Sequence, residues 1–202
     1  MRQIRLVLLF MTLVVSACVS RPKESGDTSL LPADLLFHVS DTINEVTDVT
    51  SGMIDHVAIV LTTDTVIEAV SRGVVLTPVD SLRRQSGYYI IGKVSGVDID
   101  ATLQRARSFL GKPYDELFLP DNDSIYCSEL VQLAFIDAQG RPVFEPVPMS
   151  FHDSTGHITD YWQSFYAARG MSVPEGWPGT NPVELSRRSV VRLTGDTLWM
   201  RR

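Results

Sequence analysis

Between residues 56 and 94 the apolar positions come in short runs separated by turn formers. The runs read HVAIVLT (56–62), TVIEAV (65–70), GVVLTPV (73–79) and YYIIGKV (88–94), with Thr63-Asp64 and Arg72-Gly73 between the first three. Short runs rich in Val, Ile and Thr, bounded by such pairs, predict antiparallel strands. A further strand is predicted at Asp34–Val39, and the capping residues and Ile43/Val46 spacing of 41–46 predict a short helix. The period then lengthens. Ile99, Leu103, Ala106, Phe109 and Leu110 fall on one helical face within 98–110, which Gly111 and Pro113 end. A second helix is predicted from Cys127, with Leu130, Val131, Ala134, Phe135 and Ala138 at offsets 3, 4, 7, 8 and 11, ending at Gly140 and Pro142. Beyond 143 the prolines multiply, leaving a predicted helix at 159–169 and a last strand near Val190–Leu193. Strands first and paired helices later predict an α+β fold.

The first residues change the picture of where the chain works. A basic start (MRQIR), an apolar run from Leu6 to Val15 and a small-residue exit, VSAC, describe a secretory signal peptide. The run is about half the length of a bilayer-spanning helix. Residues 1–17 are thus expected to be a leader, 18–31 a polar tether, and 32–202 a single domain with an irregular extension from about 143. Cys18 closes a stretch that resembles a bacterial lipobox. The resemblance implies lipidation of Cys18 and attachment to a membrane surface, where each buried acyl methylene contributes roughly 0.8 kcal/mol. Val19 follows Cys18, and the lack of Asp there favours the outer membrane, facing the periplasm, in a Gram-negative host.

Loss of Arg2 and Arg5 from 18 basic residues, against 24 acidic ones, leaves the mature chain at a formal charge of −8. Such an acidic surface disfavours nucleic acid as a partner. No feature of the pattern specifies an oligomer. With Cys18 lipidated, Cys127 lacks a disulfide partner in an oxidising compartment, and an unpaired thiol there is a candidate reactive group.

Cys127 falls in the first turn of its predicted helix, where unpaired amides and the positive end of the dipole favour a thiolate and an oxyanion. It also lies on the apolar stripe, so a buried core thiol fits equally well. A thiol nucleophile needs an imidazole. Of four histidines, His56 opens a strand, His38 ends one, and His152 and His157 lie in the irregular tail. An imidazole in turn needs a group that fixes its tautomer. Glu68 lies twelve residues after His56, in an apolar run that leaves a carboxylate in need of a partner. An odd hairpin loop would put the two side chains on one face, and an even loop on opposite faces. No close pair of His or Cys gives a zinc spacing, and no metal or other cofactor is expected.

Several segments, taken in order, resemble the circularly permuted branch of the papain-like NlpC superfamily, in particular the YiiX-like lipoprotein hydrolases. They are ADLLF (33–37), DHVAIV (55–60), VIEA (66–69), GKPYD (111–115), YCSELV (126–131) and GTNP (179–182). Lecithin-retinol-acyltransferase-like enzymes are more distant relatives of the same kind. The resemblance implies an antiparallel sheet or barrel followed by packed helices. It implies Cys127 as nucleophile, His56 as base and acid, and Glu68 as its orienter. Tyr114 would complete an oxyanion hole with the amide of Cys127, and Tyr126 would stand at the substrate. Ala33 departs from the glycine usual before DLLF. The expected activity is a cysteine peptidase or amidase acting on a cell-wall peptide or other amino-acid-containing substrate. The alternatives are an acyl-lipid hydrolase or acyltransferase on the same triad, and a binding module without catalysis. Phe151, Tyr161, Trp162, Phe165, Tyr166 and Trp177 either line an apolar pocket or cover a core.

Overall fold

The computed structural model describes residues 29–199. The expected leader, Cys18 and most of the tether lie outside them. Six strands form one antiparallel sheet: β1 (Leu35–Val39), β2 (Ile54–Thr62), β3 (Thr65–Val70), β4 (Gly73–Pro78), β5 (Tyr88–Val94) and β8 (Val191–Trp199), in the order β4-β3-β2-β1-β5-β8. Both faces are buried, as the continuous apolar runs require. On one face Phe37, Val57, Ile59, Ile67 and Ala69 meet helices α2 (Ile99–Ser108) and α3 (Cys127–Ala134). On the other, Val66 of β3, Ala58 and Val60 of β2, Leu36 of β1, Tyr89 and Ile91 of β5 and Leu198 of β8 form a second cluster across the sheet. A one-turn helix, α1 (Val79–Leu82), puts Val79 and Leu82 into that second cluster.

Helix α3 lies across β2 and β3 with Leu130, Val131 and Ala134 fully buried. Burial of each such Leu or Val contributes about 1.5–3 kcal/mol, which anchors the helix independently of any chemistry at its start. The helix stops at Ala134, short of the expected Ala138. Phe135 is already extended (ψ 115°), its carbonyl accepts Val143 N–H at 3.0 Å, and its ring meets Phe144 edge-on. The apolar spacing therefore continues past the helix because Phe135 still points into the core. No helix forms at 41–46 either. The Asn44 side chain accepts the amides of Val46 and Thr47, closing turns in place of a helical ladder.

The segment from 143, expected to be irregular, folds back into the domain. It contributes a small ladder of β6 (Val147–Pro148) with β7 (Pro178–Gly179), helices α4 (Asp160–Ala167) and α5 (Pro182–Ser186), and β8 on the main sheet. Ala33 sits at φ +65°, the left-handed conformation a glycine takes freely. Ala33 thus adopts the glycine-like conformation itself, with its N–H bonded to Val60 O at 2.9 Å and Leu31 N–H bonded to Asp34 Oδ2 at 2.8 Å.

Candidate active site

The β2–β3 hairpin decides whether His56 and Glu68 can meet. Its turn, Thr63-Asp64, has two residues, and an even turn alone would send the two side chains to opposite faces. A bulge between Val60 and Thr62 adds one residue and restores the parity. Beyond it, Ile59 pairs with Ile67, which carries Glu68 opposite Ala58 and diagonal to His56. His56 Nε2 then lies 2.7 Å from Glu68 Oε2. The carboxylate is 4% exposed, with Thr77 of β4 beside it on the next strand. Burial pulls its pKa up, but the bond and charge of His56, followed by Thr77 and Arg72, hold it below the ordinary carboxylate value.

Nε2 being engaged, Nδ1 is the ring nitrogen left for Cys127, which lies near enough to raise the His56 pKa. Burial, the largest single influence, lowers the His56 pKa. The bond to Glu68, the proximity of Cys127 and the charges on both outweigh it, and the imidazolium persists up to about 10. Cys127, His56 and Glu68 thus stand in one neighbourhood, with His56 between the other two.

Cys127 is the first residue of α3 after Tyr126, so its own amide has no partner within the helix. The first turn is held from outside: Ser128 Oγ donates to Thr180 O at 3.1 Å, and Tyr126 Oη accepts Thr180 N–H at 3.1 Å. Tyr126 is buried and lines the cavity at Cys127, but its hydroxyl braces the helix start. Glu129, which accepts Tyr126 N–H at 3.4 Å, has its pKa pushed up to about 7 by burial and by Asp115 and Asp121. A neutral acid there opposes a neighbouring thiolate less than a carboxylate would.

Tyr114 reaches the same place by a docked loop. Val74 N–H and Gly111 N–H exchange bonds with Lys112 O and Val74 O, both at 2.9 Å. Gly73 permits this approach: a Cβ on it would stand 2.5 Å from Lys112 O. The loop's far side is built on the buried Asp115 carboxylate, which accepts Leu117 N–H, Leu119 N–H and Asn122 Nδ2 at 2.8–3.0 Å. The Tyr114 hydroxyl has no hydrogen-bond partner among the described residues, and burial, then the charge on Cys127, raise its pKa, so it stays a donor. Tyr114→Phe is expected to lower kcat about 10- to 1,000-fold while KM changes little, because an oxyanion donor acts in the transition state. An equal kcat in steady-state assays would remove Tyr114 from that role.

Sequence reasoning passed over Asp55. It adjoins His56 and lines both the cavity at Cys127 and the one at His56 and Glu68. His38, the cross-strand partner of His56, has Nδ1 2.5 Å from Asp55 Oδ1 and Nε2 2.7 Å from Ser86 O. Two acceptors require both ring nitrogens to donate, so His38 is an imidazolium paired with Asp55. Asn44 Nδ2 donates to the other oxygen at 2.7 Å. The signal was legible in DHV (55–57) and in two histidines that each lie on a predicted strand.

The cavity at Cys127 is narrow, about 60 Å³. One wall is apolar: Val46, Val49, Phe118, Met149, Phe151 and Trp162. Of the six aromatic residues considered for such a pocket, Phe151 and Trp162 line it. Tyr166 is buried behind them, Tyr161 and Phe165 line an adjoining surface cavity, and Trp177 is half exposed. His152 and His157 are remote in role: His152 pairs with Glu175, and His157 N–H caps Asp153.

Residues 30–186, which include Cys127, His56 and Glu68, match the family described as permuted papain-like amidase enzyme, YaeF/YiiX, C92 family. The chain belongs to that family. As a permuted papain-like amidase it is a hydrolase, and of the cysteine hydrolase or amidase kind. Its fold is similar to that of metalloprotein yiiX from Escherichia coli O157:H7, at a TM-score of 0.67 and 21% identity over 82% of this chain and 97% of that one. No curated protein matches significantly. The yiiX protein is called a metalloprotein. Among the described residues of this amidase, no three His, Cys, Asp or Glu side chains converge to hold a metal.

Proposed function

We propose that this amidase cleaves an amide through a thioester on Cys127, with His56 as acid and base and Glu68 as its orienter. The observation that carries the reading is the His56–Glu68 hydrogen bond beside Cys127, at the amide-rich start of α3. The Cys127 thiolate adds to the carbonyl carbon while the Cys127 N–H and the Tyr114 hydroxyl donate to the developing oxyanion. His56 gives its proton to the leaving nitrogen as the C–N bond breaks. Water then adds to the thioester carbon and gives a proton to His56. The C–S bond breaks, the acid leaves, and thiolate and imidazolium are restored.

The site is proposed to work in the bacterial cell envelope, on a lipid anchor at Cys18, which makes a cell-wall peptide one candidate donor. The apolar wall beside Cys127 favours a second, an acyl lipid amide or ester. Released amine identifies an amidase, and released fatty acid a lipase or acyltransferase. The catalytic step is tested by incubating the full chain with an activated acyl ester. The expected result is a hydroxylamine-labile acyl adduct on the Cys127 peptide, seen by mass spectrometry. Turnover without any adduct would sink the thioester.

A further inference from the structure

We infer that a second cavity, beside α5, is a carboxylate subsite in which Arg187 holds an anionic group of the substrate. The amide cleaved at Cys127 would then belong to a molecule that also bears a free carboxylate. The inference rests on Cys127 being the nucleophile, since only then is a group held there part of a substrate. This cavity, of about 400 Å³, lies between the segment 49–51 and α5, with Ser51 and Arg187 on its wall. Val49, Thr50 and Asn181 line it and the Cys127 cavity alike, so the two adjoin across these residues.

The charge and the free donors of this cavity select the ligand. Arg187 Nη1 donates to Ser51 Oγ at 2.5 Å and Nη2 to Ser51 O at 2.6 Å. A guanidinium carries five N–H donors, so three remain. Among the described residues no carboxylate pairs with Arg187. Glu184, the acid on the same wall, is paired with Arg188, whose Nη2 also donates to Glu145 O at 2.7 Å. The cavity is left with one uncompensated positive charge, which a carboxylate matches and a phosphate dianion exceeds.

An arginine without an acid partner is ordinary on an open surface, where its side chain wanders. Arg187 is clamped at two points and caps α5, whose Val183 and Leu185 are buried. A fork held in place loses little freedom on taking a planar carboxylate through two parallel bonds. Asn181 adds a donor between the two cavities. Its Oδ1 accepts Glu184 N–H at 2.8 Å, which turns Nδ2 away from the helix, where it bonds to no described residue. That amide is placed to meet a substrate carbonyl lying between the scissile bond and the carboxylate.

The test separates binding from catalysis by titrating full-chain Cys127→Ala with acetylglycine, acetyldiglycine, acetyltriglycine and acetyltetraglycine, each as the free acid and as the amide. At the length that spans the two cavities the acid is expected to bind about ten- to a hundredfold more tightly than its amide. Arg187→Gln is expected to bring acid and amide to equal affinity. If that variant does not fold, Arg187→Lys serves, and it should cut the preference several-fold, since a point charge replaces the fork. Equal binding of acid and amide at every length, or a preference that survives the Arg187 variant, would overturn the subsite. So would inorganic phosphate binding more tightly than every acid. A preference for the acid with no thioester in the wild type would instead overturn the catalytic reading and leave Arg187 as a carboxylate site.

Discussion

Cys127→Ala lowers kcat by about ten-thousand-fold or more, to the residue supplied by binding and the oxyanion donors alone. The loss is expected without unfolding. Cys127 is 6% exposed, within the core cluster of α3, where Ala removes one heavy atom from a helix held by Leu130, Val131 and Ala134. The cost of that removal is about 1 kcal/mol, small beside the stability of a domain this size. Circular dichroism and a denaturant curve check the fold, and steady-state kinetics on a cleaved amide check the activity. A variant that keeps full turnover would make Cys127 the core thiol that its apolar stripe also allows.

Glu68→Gln is expected to lower kcat about 100- to 10,000-fold and to move the alkaline limb of kcat/KM. In the wild type that limb reports loss of the His56 proton, at about pH 10, where a free imidazole would titrate near 6.5. Gln keeps an acceptor for Nε2 but removes the charge, so the His56 pKa falls and the limb shifts to lower pH. Stability follows the same sign. His56 is raised in the folded state, so its protonation contributes stability that is complete below about pH 6.5 and is lost as pH rises toward 10. Glu68→Gln should therefore cost most stability at acid and neutral pH, as read from denaturant curves at pH 6 and pH 10. A limb that stays in place would remove Glu68 from the role of orienter.

The strands were the most legible part of the chain, because their Val- and Ile-rich runs and turn pairs are local signals. The helix start at Cys127 was legible for the same reason, but its end was not. Phe135 is set by a tertiary bridge of Ile136 with Pro142, which helical spacing cannot register. The short helix expected at 41–46 failed because Asn44 turns its side chain on its own backbone and on Asp55. His56 and Glu68 stood out by type and spacing, yet their meeting depended on loop parity that spacing left open. The apolar wall was hidden, since Val46 and Val49 stand about 80 residues before Cys127 in the chain.

The bulge at Val60–Thr62 makes the site depend on a count as much as on chemistry. Thr62, Thr63 and Asp64 make no hydrogen bond to His56 or Glu68, and other side chains of similar habit would serve the turn as well. One residue fewer in that span, with the turn intact, would swing Glu68 through the sheet and leave His56 facing an apolar neighbour. Relatives should therefore vary freely in spelling there while keeping its length, and a chain of altered length would retain every residue of the triad and still be unable to assemble it.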